Sequence, residues 1–221
     1  MTEPTPIRRG RPRGDPERSD VRRRLIRAGL EHVTEKGYAA AGVDEILRAA
    51  GLPKGSFYHY FRGKADFGLV LIDAYHRYFA QLIDGALRDP ARPPLEQLGV
   101  FVDTAARGMA RHDFRRGCLV GNLGQEMSTL PEAFRARLIA ALDDWQARTA
   151  LCLAEARAAG DIAAHHDPAR LAAVFWIGWE GAVLRAKLDR SEAPLRLFAD
   201  AFLAGLRPTT PRSRPESTSD V

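Results

Sequence analysis

Apolar residues recur at helical spacing along nearly the whole chain between its two polar ends. Leu25, Ile26, Leu30 and Val33 fall on one helix face, and similar spacing returns in one segment after another as far as Leu206. We find no convincing run in which apolar and polar residues alternate, the pattern that indicates a half-buried strand. The sequence therefore predicts an all-α fold.

Glycine and proline divide this pattern into separate helices. Gly37 follows a first helix that begins near Ser19 or Asp20, and Gly51 is expected to end a short second helix over 43–50. Pro53 suits the first turn of a third helix. Beyond these, helices are expected over 65–87, 95–111, 119–127, 131–159, 167–187 and 193–206.

Charge is distributed unevenly along the 221 residues, whose formal net charge is +5. Residues 1–64 carry 14 Lys and Arg against 8 Asp and Glu, a net charge of +6, whereas the rest carries 19 against 20. A basic segment of this kind indicates an anionic partner. We therefore expect the first third of the chain to meet that partner, and residues 65–206 to form a near-neutral helical body.

Other features exclude several classes of protein. Two cysteines, Cys118 and Cys152, are too few for a multi-bridge secreted framework, so a reducing, cytoplasmic location is expected. The longest apolar run, 171–179, is far shorter than the roughly 18 to 20 residues that span a bilayer. The first residues lack the apolar core of a secretory signal. The histidines show no metal-ligand spacing with cysteine, and we expect neither a metal nor another cofactor.

The second and third helices have the short spacing of a helix-turn-helix. Phe57 and Phe61 lie four residues apart and are expected to point inward, which leaves polar side chains on the other faces. A recognition helix needs donors near its N-terminus for base edges, and hydroxyls and cations on its flanks for phosphates. The alternative is a helical hairpin whose aromatic residues all serve the core, but the basic charge of the segment favours double-stranded DNA as the partner.

An arginine-rich arm precedes the first helix. The sequence Arg9-Gly10-Arg11-Pro12-Arg13 places cations on an extended backbone, as in arms that insert arginine into a narrow minor groove. Beside a helix-turn-helix, Arg9 and Arg11 are expected to contact DNA, although an arm that is merely solvated is the alternative. We expect residues 1–19 to form a basic flexible arm and 207–221 to form a disordered tail.

The stretch from Leu25 to Phe67 resembles the DNA-binding domain of TetR-family repressors. In order, it carries Gly37-Tyr38, Gly42-Val43-Asp44-Glu45-Ile46, Ala49-Ala50-Gly51, Lys54-Gly55-Ser56-Phe57-Tyr58-His59-Tyr60-Phe61 and Lys64. The resemblance implies a DNA-binding domain over 20–64 and a ligand-binding and dimerisation domain over 65–206. It also implies a homodimer that binds a palindromic operator and is released by a small inducer.

The same resemblance implies which residues touch DNA. Three residues at the start of the third helix would face bases, three would contact phosphates, and one would begin the helix that abuts the backbone. These are, in that order, Lys54, Gly55 and Ser56, then Tyr58, Tyr60 and Lys64, and finally Val43. His59 is a further candidate DNA contact.

Two segments of the body resemble a narrower, acrylate-responsive branch of that family. They are 115–126 (RRGCLVGNLGQE) and 175–182 (FWIGWEGA), the latter followed by Arg185-Ala186-Lys187. The resemblance implies that the inducer is acrylate or a related short unsaturated acid. Electrophile-sensing members of the family similarly have Gly-Cys-Leu in the first segment, so the alternative is a sensor of reactive electrophiles that acts through Cys118.

Helical spacing groups polar residues of these segments on two faces that a small polar ligand could use. The faces carry Cys118, Asn122 and Gln125 on one helix and Trp176, Glu180, Val183 and Lys187 on the next long helix, where Trp179 is also a candidate ligand-binding residue. The alternatives are ordinary core or dimer packing for the two tryptophans and a surface pair for Glu180 and Lys187.

The chemistry of acrylate suggests a role for each group. We expect Arg116 or Lys187 to hold the carboxylate, and Asn122 or Gln125 to hydrogen-bond it, with Cys118 near the alkene. Arg115-Arg116 and the expected helix N-terminus both favour the thiolate of Cys118. Whether Cys118 is alkylated or only packs remains open, and Cys152 is expected only to pack.

Two other classes of function are less well supported by the sequence. Cys118, His112 and Glu126 could suggest a thiol hydrolase, but no ordered set of nucleophile, base and orienting group emerges, so we do not expect an enzyme. A constitutive architectural DNA-binding protein is the third alternative, and a ligand that changes the thermal stability of the body would argue against it.

Overall fold

The computed structural model describes residues 19–207, and this part of the chain is helical without a strand. The helices are α1 (Asp20–Lys36), α2 (Val43–Ala49), α3 (Ser56–Tyr60), α4 (Lys64–Leu87), α5 (Pro94–Ala110), α6 (Leu119–Gln125), α7 (Ala133–Ala158), α8 (Pro168–Asp189) and α9 (Ala193–Leu206). A 3-10 helix spans Met127–Thr129. The prediction of an all-α fold is confirmed. Arg9, Arg11 and nearly all of the predicted tail lie outside the described residues.

Helices α1 to α3 pack around a small apolar core, and we call residues 19–63 the head. Leu25 and Phe57 are fully buried, and Phe61 is nearly so, which agrees with the inward orientation that the sequence predicted for the two phenylalanines. The core continues into α4, because the ring of Phe67 packs edge-on against Phe57 at a centroid distance of 5.3 Å. Gly29 of α1 makes room for that ring, since a Cβ there would lie 2.5 Å from it.

The turn between α2 and α3 differs from the sequence prediction. The third helix begins at Ser56 rather than at Pro53, because Pro53–Gly55 form a turn that the Ser56 N–H closes onto the Pro53 carbonyl at 3.0 Å. Gly51 has a φ of +63°, the left-handed conformation expected after the second helix. Arg24 of α1 donates to the carbonyls of Ala50 and Gly51 at 2.5 and 3.3 Å and so fixes the end of α2.

Helices α4 to α9 form a larger bundle, and we call residues 64–207 the body. Its centre is a cluster of aromatic rings. The ring centroids of Trp145 and Trp176 lie 5.2 Å apart, and Phe79 contacts both rings. The indole N–H of Trp176 donates to the Thr149 hydroxyl at 3.0 Å, and that hydroxyl donates to the Trp145 carbonyl at 2.9 Å. Trp176 is therefore a core residue with its polar atom satisfied.

The remaining helices end within two residues of their predicted limits. The largest differences are α6, which stops at Gln125 before the 3-10 turn, α7, which starts at Ala133, and α8, which continues to Asp189. Asp167 caps α8 by accepting the Ala169 N–H at 3.1 Å. Within residues 19–207, no helix has an apolar stretch long enough to cross a membrane.

Candidate DNA interface and ligand cavity

The outer surface of the head carries most of the residues proposed to touch DNA. Lys54, Gly55, Tyr58 and His59 are exposed, and Tyr58 has 71% of its surface accessible. Val43, Lys54 and Tyr58 line one shallow groove together with Gly42, Asp44 and Leu47. The short α3 thus presents a polar face outward while Phe57 holds the opposite face in the core.

Three of the proposed DNA contacts have partners within the head. The Lys54 ammonium pairs with Asp44 at 2.9 Å, but both side chains remain exposed. The Tyr60 hydroxyl is 2.8 Å from that of Ser19 at the start of α1. Lys64 donates to the Ala39 carbonyl at 3.1 Å and lies 4.6 Å from the centroid of the Tyr38 ring. Tyr60 and Lys64 therefore also stabilise the head, whereas Lys54 can leave Asp44 at little cost.

A cavity of about 570 Å³ lies between the head and the body. Its walls come from α1, α4, α5, α8 and the segment just before α6. The buried part of the lining is mostly apolar and includes Phe79, Met109, Cys118, Trp179 and Val183. The exposed part includes Arg23, Arg27 and Arg77. An apolar interior with cations at the mouth suits a small amphipathic anion.

Only some of the predicted ligand residues line this cavity. Arg116, Cys118 and Trp179 do, whereas Trp176 belongs to the core described above. Gln125 is exposed at the end of α6. Asn122 donates instead to the Thr34 carbonyl of α1 at 3.0 Å. The expected polar face does not form, because α6 begins at Leu119 and Cys118 lies before it with extended backbone angles.

Glu180 and Lys187 face inward but lie outside the cavity lining, next to the segment that precedes and begins α6. A Cβ on Gly121 would collide with the Glu180 carboxylate, and a Cβ on Gly117 would lie 2.7 Å from Cδ of Lys187. Oxygen Oε1 of Glu180 is buried without a hydrogen-bond partner in the described part of the chain. Burial raises the pKa of Glu180 to about 7 and lowers that of Lys187.

Cys118 is not the activated thiolate that the sequence suggested. Burial, and then the nearby Glu180 carboxylate, raise the pKa of the Cys118 thiol well above its usual value. The preceding arginines point away toward α1, where Arg115 pairs with Glu35 at 3.7 Å. The thiol therefore rests in its protonated form. Cys152 is also buried, and its Sγ donates to the Pro94 carbonyl at 3.2 Å.

Residues 115–126, which we call the α6 segment, connect the cavity to the head. At its start, Arg116 makes long ion pairs with Glu31 and Glu35 of α1, at 3.7 and 3.9 Å. At its end, the Glu126 carboxylate accepts the backbone N–H groups of Tyr38 and Ala39, at 2.9 and 2.8 Å. A change at the cavity wall can therefore reach the turn between α1 and α2 through one short segment.

Sequence reasoning missed the contributions of α1 and α4 to the cavity. Tyr75 and Phe79 of α4 and Leu30 of α1 follow ordinary core spacing, so nothing in their pattern separates a cavity wall from a packed interior. Glu126 appeared only within a resemblance and in the hydrolase alternative, and its contact with the head was missed because its partners lie 87 and 88 residues earlier in the chain. Only the packing of the body against the head brings these residues together.

A helix-turn-helix with an exposed polar face, joined to a helical body with a cavity, defines a DNA-binding transcriptional regulator. Comparison with known proteins identifies the family. Residues 25–68 match the profile described as bacterial regulatory proteins, tetR family, and residues 94–202 match the tetracyclin repressor-like C-terminal domain. The chain belongs to the TetR family of transcriptional regulators, in which the helix-turn-helix is the DNA-binding element.

Individual relatives cover nearly the whole chain. The transcriptional regulator AcuR of Cereibacter sphaeroides is 61% identical over 199 residues, which are 90% of this chain and 91% of the relative. The transcriptional repressor DhaR of Mycobacterium sp. is 30% identical and covers 90% of this chain and 99% of its own. A crystal structure of the regulatory protein TetR from Rhodobacter sphaeroides has 60% identity and a TM-score of 0.84, covering 85% of this chain and all of that one. All three relatives are transcriptional regulators by name.

Proposed function

We propose that the protein represses transcription by binding a palindromic operator as a homodimer, and that a small carboxylate inducer releases it. The inducer is acrylate or a related short unsaturated acid, as the resemblance to the acrylate-responsive branch implies. In this proposal residues 20–64 bind DNA, residues 65–206 bind the inducer and dimerise, and the protein acts on DNA in the cytoplasm.

The observation that carries this proposal is the position of Arg116. Its guanidinium lines the cavity, and its ion pairs with Glu31 and Glu35 are longer than hydrogen bonds. Within residues 19–207, no hydrogen bond occupies its donors, although the side chain is only 26% exposed. A carboxylate in the cavity can bind those donors in the two-pronged geometry that arginine favours. The ligand would then compete with α1 for the same cation.

This competition provides a route from the ligand to the DNA. Without inducer, Arg116 attracts the end of α1, and Glu126 holds the following turn. With inducer, Arg116 turns to the ligand and the α6 segment shifts, so the head changes its orientation on the body. The two heads of a dimer then no longer match successive major grooves, which lie about one helical turn apart. The ligand drives this change only by the difference in its affinity for the two states.

An exposed apolar stripe on α8 and α9 supports dimerisation. Val174, Ile177, Leu184 and Leu188 follow the spacing of one face of α8, and Ile177 and Leu188 are 75% and 72% exposed. Leu197 of α9 is 73% exposed. A contiguous apolar patch of this kind marks an interaction surface. We propose that the stripe packs against the same stripe of a second copy, as twofold symmetry requires.

On DNA, the proposed contacts fall into two groups. Lys54, Gly55 and Ser56 face bases at the start of α3, and Gly55 lets the backbone approach closely. Tyr58, His59, Tyr60 and Lys64 lie near phosphates, with Val43 at the start of α2. Arg9 and Arg11 of the arm are proposed to enter the neighbouring minor groove.

A gel-shift titration tests the proposed function. The protein first selects its operator from random-sequence DNA, and the selected sequence is expected to be palindromic. Acrylate is then added, with propionate as a saturated acid of similar size and charge. We expect acrylate to release the operator and propionate to do so less effectively. Equal operator affinity with and without every short acid would eliminate inducible release.

The alternative mechanism is covalent, and it is favoured only by the presence of Cys118 in the cavity lining. In that mechanism the thiol sulfur adds to the terminal alkene carbon, and the thiol proton moves to the carbon beside the carboxylate, so that nothing leaves. The raised pKa of Cys118 opposes this reaction, because the thiolate is the nucleophile. Intact-protein mass distinguishes the two: release of the operator by acrylate without a mass increase eliminates the covalent mechanism.

A further inference from the structure

The cavity is much larger than acrylate needs. Its volume of about 570 Å³ lies within the range of roughly 300 to 1,000 Å³ that accommodates drug-sized ligands. Acrylate has three carbons and can cover only a small part of the apolar wall. Much of the wall would stay wet or empty around it, and uncovered apolar surface contributes nothing to affinity.

Part of the apolar wall is aromatic, beside aliphatic side chains such as Leu30 and Leu82. The rings of Tyr75 and Phe79 stack at a centroid distance of 5.6 Å and an angle of 14° between their planes. Trp179 and Met109 complete the apolar surface from α8 and α5. Aromatic side chains and a thioether favour contact with a flat, unsaturated ligand.

The charged groups of the lining come from α1, from α4 and from the segment before α6. Arg27 and Arg77 are exposed at the mouth, and neither has an ion-pair partner among the described residues. Arg23 and Arg116 are further cations of the lining, and Glu31 is its acidic residue. An anionic group is therefore favoured near the arginines, and the apolar part of the same molecule is favoured against the aromatic wall.

We propose that the cavity binds unsaturated carboxylates with a bulky apolar substituent at the end remote from the carboxylate, and binds them more tightly than acrylate itself. Aryl-substituted acrylates, of which cinnamate is the simplest, have this shape. The carboxylate would pair with Arg116, and the aryl ring would lie along Tyr75 and Phe79. This inference rests on the proposed inducer site and extends it from a three-carbon acid to a class of larger ligands.

Isothermal titration of the full chain with acrylate, crotonate and cinnamate tests the inference. Each buried methylene increases affinity about fourfold, which is the ~0.8 kcal/mol per CH₂ of hydrophobic burial. We therefore expect cinnamate to bind at least ten times more tightly than acrylate and to release the operator at a correspondingly lower concentration. Crotonate, with one more carbon than acrylate, is expected to fall between them.

Two glycines of α5 provide a matched pair of variants. Gly108 lines the cavity, whereas Gly99 does not, and a Cβ at either position would meet nothing within 4 Å. In Gly108→Leu the new side chain would occupy the space proposed for the aryl ring, so the preference for cinnamate over acrylate should fall at least fivefold. Gly99→Leu gains the same helix propensity without filling the cavity, and its preference should match that of the unmodified protein.

The outcomes separate this inference from the proposed function. If acrylate binds and releases the operator while cinnamate binds no more tightly, the inference is wrong and the inducer site stands. If cinnamate binds tightly but Gly108→Leu keeps the full preference, the ligand lies elsewhere and the inference is also wrong. If none of the acids binds, both are wrong. The inference is supported if cinnamate binds more tightly than acrylate, if Gly108→Leu reduces that preference and if Gly99→Leu preserves it.

Discussion

Glu126 and Tyr38 join the body to the head across 88 residues of sequence, with the Glu126 carboxylate accepting the Tyr38 N–H at 2.9 Å. The second carboxylate oxygen accepts the Ala39 N–H at 2.8 Å. Gly37 allows this approach, because a Cβ there would collide with the same carboxylate and its φ of +85° suits glycine. The turn between α1 and α2 is thus held by a residue at the end of α6.

The Glu126→Gln substitution is expected to weaken this joint. A neutral amide replaces one of the two accepting oxygens with an NH₂ group, which cannot accept an N–H, so one charge-assisted hydrogen bond is lost and the other becomes weaker. We expect a loss of about 1 kcal/mol in the free energy of unfolding, together with weaker operator binding in the absence of inducer. Urea denaturation and gel shifts measure the two effects. Glu132→Gln, which removes only an exposed pair with Arg135, should change neither.

The Arg116→Gln substitution is expected to remove the cation proposed to hold the inducer. Affinity for acrylate should fall at least tenfold, because a charge-assisted hydrogen bond to a partly buried partner contributes ~1.5 to 3 kcal/mol. Isothermal titration measures the loss. Arg115→Gln is the matched control, since Arg115 is 60% exposed and lies outside the cavity lining. An equal loss in both variants would argue that the arginines act only through the charge of the segment.

Glu180 is expected to make the stability of the protein depend on pH. Burial raises its pKa from 4.5 to about 7, so the folded state binds the proton more tightly than the unfolded chain. The resulting stabilisation is complete below about pH 4.5 and is lost as the pH rises through 7. The full loss in the free energy of unfolding is about 3 kcal/mol, because each pKa unit corresponds to ~1.4 kcal/mol.

Thermal melts of Glu180→Gln test this dependence. Between pH 5 and 8 (roughly the window set by the raised pKa), the variant should lose less stability than the unmodified protein. Glu96→Gln, at an exposed position in the first turn of α5, serves as the control and should follow the unmodified protein. If the melting temperature of all three proteins changes equally with pH, Glu180 is not the source of the pH dependence.

The two kinds of proposed DNA contact should respond differently to substitution. Tyr58→Phe removes a hydroxyl proposed to bind phosphate, so affinity should fall by a similar factor for the operator and for unrelated DNA. Lys54→Ala removes a proposed base contact and should mainly reduce the preference for the operator, by about 1 to 3 kcal/mol. Gel shifts with both DNA sequences measure these ratios. Tyr78→Phe, at an exposed tyrosine that lines the cavity and lies outside the DNA-binding helices, should leave both affinities unchanged in the absence of inducer.

The apolar stripe of α8 leads to a prediction about assembly. Ile177→Glu combined with Leu188→Glu places two charges in the proposed interface, where they would be buried without partners. Analytical ultracentrifugation should then show a monomer, with operator binding strongly reduced. The control is Leu151→Glu on α7, at a leucine that is 59% exposed but lies outside the stripe. If the double variant remains a dimer, the interface lies elsewhere.

The sequence predicted best where local spacing decides the structure. The inward positions of Phe57 and Phe61, the left-handed Gly51 and the extent of α9 all follow from patterns within a few residues. Pro53 was predicted to lie in the first turn of the third helix but precedes α3, because proline suits both a first helical turn and the turn that it occupies. Local sequence preference does not distinguish a helix start from a turn at this position, because tertiary contacts determine which of them forms.

The candidate cavity was predicted only in part, because its walls come from segments far apart in the chain. The arginines beside Cys118 suggested a thiolate, yet they pair with α1 and the thiol lies against Glu180, 62 residues later. Asn122 faces α1 rather than the cavity for the same reason. Spacing along one helix identifies a shared face, but only the packing of head on body determines what that face meets.

Operator release by acrylate tests the central claim most directly. The operator selected from random-sequence DNA carries a fluorescent label, and its anisotropy is followed as acrylate is added to the complex. The account predicts that the unmodified protein leaves the operator, and that Arg116→Gln, which has lost its pairs with Glu31 and Glu35, binds the operator more weakly and releases it only at concentrations of acrylate at least tenfold higher. An anisotropy that stays constant for the unmodified protein, at every concentration of acrylate and of the larger unsaturated acids, would contradict it.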